Sequence, residues 1–120
     1  MTPEPGVGAS SEADSPFREV SVLEVKAMMD RGEPAVYLDV REPNEFNLGR
    51  LPGALHIPKG DLELKIGDAV PRDANVIAYC SAGIRSAVAA ETLQAMGYTN
   101  VASLAGGFRE WMFSGFPVEE

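Results

Sequence analysis

Cysteine occurs once in this sequence, at Cys80, and histidine once, at His56. One cysteine closes no internal disulfide, which fits a reducing compartment, and one cysteine with one histidine falls short of the usual structural zinc site. Long apolar runs are missing too: none approaches the ~18 residues of a membrane span. Basic residues are scarce, ten against eighteen acidic ones, for a formal charge of −8. Without a Lys/Arg run or a basic stripe, that balance argues against nucleic acid as a partner. It also mildly opposes the long-range approach of small anions, so an anion site has to work through local dipoles. Met1–Pro16 has no lysine, no arginine and no hydrophobic block, so no secretory signal is read there. These absences together predict a cytoplasmic protein with no membrane association.

What is present suits one globular domain: 120 residues and 45% hydrophobic content support a single core. Residues 1–16, rich in proline, glycine, serine and acid, bury too little surface to offset their ordering entropy and are read as a disordered tail. Residues 17–120 form the domain. Strands are predicted at Phe17–Val20, Ala35–Val40, Ala54–Ile57, Val76–Tyr79 and Val101–Leu104. Ser21 and Glu24 make a capping-box pair, and Val22, Val25, Met28 and Met29 follow at helical spacing until Gly32. Shorter helical segments are read at Asn44–Leu48 and Asp61–Ile66. Ile84–Met96 is a longer helix, with Val88, Ala89, Thr92, Leu93 and Met96 on its packing face, and a last helix bears Phe108, Trp111 and Met112. Strands alternating with helices through short loops indicate an α/β fold, a parallel sheet covered on both faces.

The chemistry concentrates at Cys80. It ends the apolar run Val76-Ile77-Ala78-Tyr79 and opens a turn of small residues, Ser81-Ala82-Gly83, ahead of an alanine-rich helix. In parallel sheets, ligands sit outside the carboxyl ends of strands, which is where this thiol falls. A lone cysteine after a strand is more often a small buried hydrophobe. A core cysteine, however, needs neither Gly83 nor Arg85 and Ser86 opening the next helix. Backbone N–H groups and a helix start aimed at the sulfur favour the thiolate, so its pKa should fall below the ~8.5 of a free cysteine. The arrangement reads as an anion cradle around a nucleophile.

Three ordered segments resemble the single-domain rhodaneses, the sulfurtransferase family. They are Asp39-Val40-Arg41-Glu42 with Glu45-Phe46 and Gly49-Arg50-Leu51-Pro52-Gly53-Ala54; Cys80-Ser81-Ala82-Gly83-Ile84-Arg85-Ser86; and Leu104-Ala105-Gly106-Gly107-Phe108 with Trp111 and Gly115-Phe116-Pro117-Val118. The resemblance implies a five-stranded parallel sheet flanked by helices on both faces. It implies Cys80 as the carrier of a persulfide, and Ser81, Ala82, Gly83, Ile84 and Arg85 as the N–H cradle around the substrate. Arg85 binds a departing anion or braces the loop, and both roles stay open. Asp39, Arg41 and Ser86 are supporting residues, the first two through pairing that holds neighbouring loops. The family often has histidine where this chain has Arg50; His56 is read as a hydrogen-bonded structural residue, not a base.

The implied reaction moves a sulfane sulfur from thiosulfate or a persulfide donor to cyanide, a thiol or a protein acceptor, with no cofactor or metal and in a monomer. Four residues separate Cys80 from Arg85. Phosphatases and arsenate reductases of related fold resemble a loop with five, so they are the less favoured reading. A binding and sulfur-delivery module acting on a partner protein stays open.

Overall fold

The computed structural model describes residues 17–120; the tail expected over 1–16 lies outside the described residues. Five strands, β1 (Arg18–Val20), β2 (Val36–Asp39), β3 (Leu55–His56), β4 (Val76–Tyr79) and β5 (Val101–Leu104), pair in parallel in the order β1-β5-β4-β2-β3. Five helices accompany them: α1 (Val22–Asp30), α2 (Pro43–Leu48), α3 (Leu62–Ala69), α4 (Ile84–Ala95) and α5 (Gly107–Phe113), with a 3₁₀ turn at Lys59–Asp61 leading into α3. The predicted α/β fold, a five-stranded parallel sheet with helices on both faces, is the fold observed.

Strand order places the site. The chain leaves β2 toward β3 on one side and leaves β4 toward β5 on the other, so the connections diverge between two paired strands. Such a switch point opens a crevice at the carboxyl ends. Asp39 and Tyr79 lie in register there, and the segments that follow them carry Arg41 and Cys80.

The period-two pleat sorts the apolar residues into two cores. Leu38, Val40, Val76, Ala78 and Cys80 pack with Leu62 and Ile66 of α3 and with Ala89, Ala90 and Leu93 of α4. Tyr37, Ile77, Tyr79, Ala102 and Leu104 pack with Val22 and Val25 of α1 and Phe108 and Trp111 of α5. The alternation that ends at Tyr79 therefore turns Cys80 toward α4.

The capping box forms as predicted: Glu24 N donates to Ser21 Oγ at 3.1 Å and Ser21 N to Glu24 Oε1 at 2.8 Å. Met28 and Met29 are half-buried against the second core. Helix α4 departs from the expected face. Val88 is 42% exposed, and the buried stripe is Ser86, Ala89, Ala90 and Leu93. Ser86 lies in that stripe as a buried polar residue, its Oγ 2.8 Å from Ser103 Oγ on β5. β3 is shorter than the predicted Ala54–Ile57, and α3 runs beyond the predicted Ile66 to Ala69.

Candidate active site

Gly83 shapes the loop after β4. Its φ of +107° is a left-handed conformation that side chains disfavour, and it caps α4 from that position. The turn brings Gly83 N to 3.1 Å and Ser86 N to 3.4 Å from Cys80 Sγ, both as donors. Ser86 Oγ stands 3.6 Å from the same sulfur. Cys80 is only 1% exposed. Burial pushes its thiol up, but the Ser86 hydroxyl and the amides of Ser86, Gly83 and Ala82 outweigh it, and the net direction is downward. The sulfur sits where a negative charge is already solvated by protein dipoles.

Ser81 and Arg85 face elsewhere. Arg85 donates from Nη1 to Glu45 Oε1 at 2.8 Å and from Nη2 to Oε2 at 3.1 Å, while Ser81 Oγ donates to Glu45 Oε2 at 3.0 Å. Glu45 N-terminal to these contacts also accepts the Glu42 amide at 2.9 Å. The Arg85 hydrogen bonds hold the Glu45 carboxyl down at about 2. Glu45 in turn raises the Arg85 guanidinium, and the nearby Cys80 adds to that effect. Arg85 thus ties the loop to α2 through Glu45. Ala82 and Ile84 are exposed on the rim. Among the described residues, the amides of Ser81, Ile84 and Arg85 make no hydrogen bond to the sulfur.

Asp39 and Arg41 are buried across the crevice. Arg41 Nη2 and Nε donate to Asp39 at 2.7 and 3.0 Å, and Nη2 also reaches the Gly49 carbonyl at 2.7 Å. Tyr79 OH donates to Asp39 Oδ2 at 2.7 Å and accepts from Leu51 N at 3.1 Å. His56 Nε2 lies 2.8 Å from the Arg41 carbonyl, and its ring stacks on Phe46 at 4.3 Å. This network ties β2, β4 and the Gly49–Leu51 segment together without touching Cys80. Arg50, in the position where family members often have histidine, lies over the Phe46 ring at 4.5 Å and pairs its backbone with Glu119.

The third segment closes the site from above. Phe108 N and Arg109 N donate to the carbonyls of Cys80 and Ser81 at 2.8 and 3.0 Å. A Cβ on Gly107 would stand 2.5 Å from the Cys80 carbonyl oxygen, and its φ is +60°, so glycine is required on both counts. Two grooves flank the loop. One, of about 310 Å³, includes Glu45, Leu48, Ser81, Arg109 and Met112; the other, of about 410 Å³, includes Ala82, Arg109, Glu110 and Phe113.

A family described as the Rhodanese-like domain matches residues 21–113. The chain belongs to the rhodanese-like family. Thiosulfate sulfurtransferase GlpE of Actinobacillus succinogenes is 38% identical over 91 residues, 76% of this chain and 81% of that protein. YrkF of Bacillus subtilis, provisionally named as a sulfur carrier protein, is 34% identical over 102 residues; the match takes in 85% of this chain but only 55% of YrkF. A solved structure from Rhodopseudomonas palustris, of a protein of unknown function described as a possible tyrosine phosphatase, superposes with a TM-score of 0.80 at 32% identity over 99% of both chains. In this rhodanese-like chain, sequence reasoning missed Glu45 as the partner of Arg85 and passed over Tyr79 and Arg109. The two members of the Glu45–Arg85 pair are 40 positions apart. Only the acidic residue in the first turn of α2 hinted at it.

Proposed function

We propose that this chain is a sulfurtransferase in which Cys80 carries a sulfane sulfur from thiosulfate or a persulfide donor to a thiophilic acceptor. The observation that carries the reading is the set of donors on Cys80 Sγ, Gly83 N at 3.1 Å and Ser86 N at 3.4 Å, with the Ser86 hydroxyl beside them. The Cys80 thiolate attacks the outer sulfur of thiosulfate. A Cys80–S bond forms, the donor S–S bond breaks, and sulfite leaves with its electron pair. Cyanide or a thiolate then attacks the terminal sulfur of the persulfide, and the Cys80 thiolate departs. The amides and hydroxyl around the sulfur favour the thiolate as the attacking form, so the mechanism calls on no separate general base. A cytoplasmic, reducing setting suits a single unpaired thiolate.

A protein acceptor is the second reading, favoured by the rim of the site. Leu48 and Phe113 are 80% and 87% exposed, and Ile84 and Met112 are exposed beside them. Four large apolar side chains around one loop suit a docking partner better than cyanide.

Thiosulfate:cyanide turnover tests the reading, with hydrolysis of an activated aryl phosphate as the competing activity. Cys80→Ser should abolish sulfur transfer and keep the wild-type circular dichroism, since a serine hydroxyl neither ionises near neutral pH nor forms a persulfide. The wild-type chain should show negligible phosphatase activity, because its loop amides converge on one sulfur atom, too small a volume for a phosphoryl group. Phosphatase turnover lost in Cys80→Ser would place the chain on the phosphatase branch. Absence of both activities favours the protein acceptor.

A further inference from the structure

Three arginines stand around the Cys80 loop, and two are already engaged. Arg41 is 3% exposed and held by Asp39 and the Gly49 carbonyl. Arg85 is held by both oxygens of Glu45. Arg109 differs. Its backbone amide is fixed to the Ser81 carbonyl at 3.0 Å, its side chain is exposed, and among the described residues its guanidinium has no hydrogen-bond or ion-pair partner. It is also the residue shared by both grooves at the loop. In the groove that contains Ser81, the acid present is Glu45, and Arg85 neutralises it. The other groove holds Glu110, which opposes an anion. One groove therefore offers a net positive charge on a molecule whose formal charge is −8.

We propose that Arg109 binds the anionic end of the sulfur donor, the sulfonate oxygens of a thiosulfate-type oxyanion, in the groove beside Ser81. For the identity of the donor, this rests on the sulfurtransferase reading. A guanidinium suits the task, because its planar fork matches two oxygens of a sulfonate as it does a carboxylate or phosphate. Local charge of this kind also offsets the unfavourable long-range field. When the outer sulfur is transferred, the sulfite that leaves is still paired with Arg109.

The test uses two electrophiles of nearly equal shape, iodoacetate and iodoacetamide, on the full chain and on Arg109→Ala and Arg109→Lys. In Arg109→Ala the ratio of Cys80 alkylation rates, iodoacetate over iodoacetamide, should fall about tenfold while the iodoacetamide rate stays within about twofold. Arg109→Lys should restore much of the ratio. With thiosulfate, Arg109→Ala should raise KM about tenfold and leave kcat near wild type, the mark of lost ground-state binding. An unchanged ratio with active sulfur transfer would overturn the assignment of Arg109 alone. A reduced ratio in a chain that transfers no sulfur would keep Arg109 as the anion-binding residue and overturn the sulfurtransferase reading. A Cys80 that neither reagent modifies would overturn both.

Discussion

Cys80 takes its character from residues three and six positions along the chain and from a strand next to its own. Gly83 supplies an amide because only glycine takes the left-handed turn easily there, and Ser86 supplies an amide while its hydroxyl accepts from the thiol at 3.6 Å. Ser103, on β5, fixes the Ser86 hydroxyl. The thiol at the strand end and the glycine that turns the loop were legible in the sequence, because both lie within one local motif. The role of Ser86 was underrated, because its second partner sits 17 positions away. A measurable consequence follows for acidity. The pH midpoint of Cys80 alkylation should lie below the ~8.5 of a free thiol. Ser86→Ala should move it upward, because the hydroxyl beside the sulfur, which favours the charged form, is lost. A wild-type midpoint at or above ~8.5, or no change in Ser86→Ala, contradicts the cradle.

Helix α2 and the Cys80 loop come from opposite halves of the chain, and Glu45 joins them. The sequence marked both elements correctly, since local periodicity and turn residues fix where a helix or strand begins. It gave no sign of the contact between them, because an ion pair across 40 positions leaves no local pattern. On α4, hydrophobic periodicity favoured Val88, which is exposed, and gave no sign of Ser86, which is buried with its hydroxyl against Ser103 across 17 positions. The Glu45 brace carries a pH signature. Its carboxyl is depressed from 4.5 to about 2, so its stabilising effect is complete above about pH 4.5 and lost as pH falls through about 2. Partial exposure of both partners reduces the benefit to about 1 kcal/mol. Denaturant titrations should therefore find Glu45→Gln less stable than wild type by about 1 kcal/mol at pH 7, with the gap closing toward pH 2. A gap that persists unchanged at low pH would show that the carboxylate is not the source.

At the scale of the whole molecule, the parallel order β1-β5-β4-β2-β3 puts the loops after β2 and β4 side by side at the switch point. That outcome was predictable from strands alternating with helices, and it puts the thiol at a strand end beside the switch point. Grooves were not predictable, since their walls combine α2, the Cys80 loop and α5. Under the proposed function, strong negative charge and a nearly closed thiol favour small donors that reach the sulfur through local attraction. The central claim, that Cys80 holds a transferable sulfur, is tested most directly by intact mass. The protein is weighed after incubation with thiosulfate, and again after cyanide is added. The predicted result is a gain of one sulfur atom in wild type, removed by cyanide and absent in Cys80→Ser. A wild-type mass that thiosulfate leaves unchanged, or a gain that survives Cys80→Ser, would contradict it.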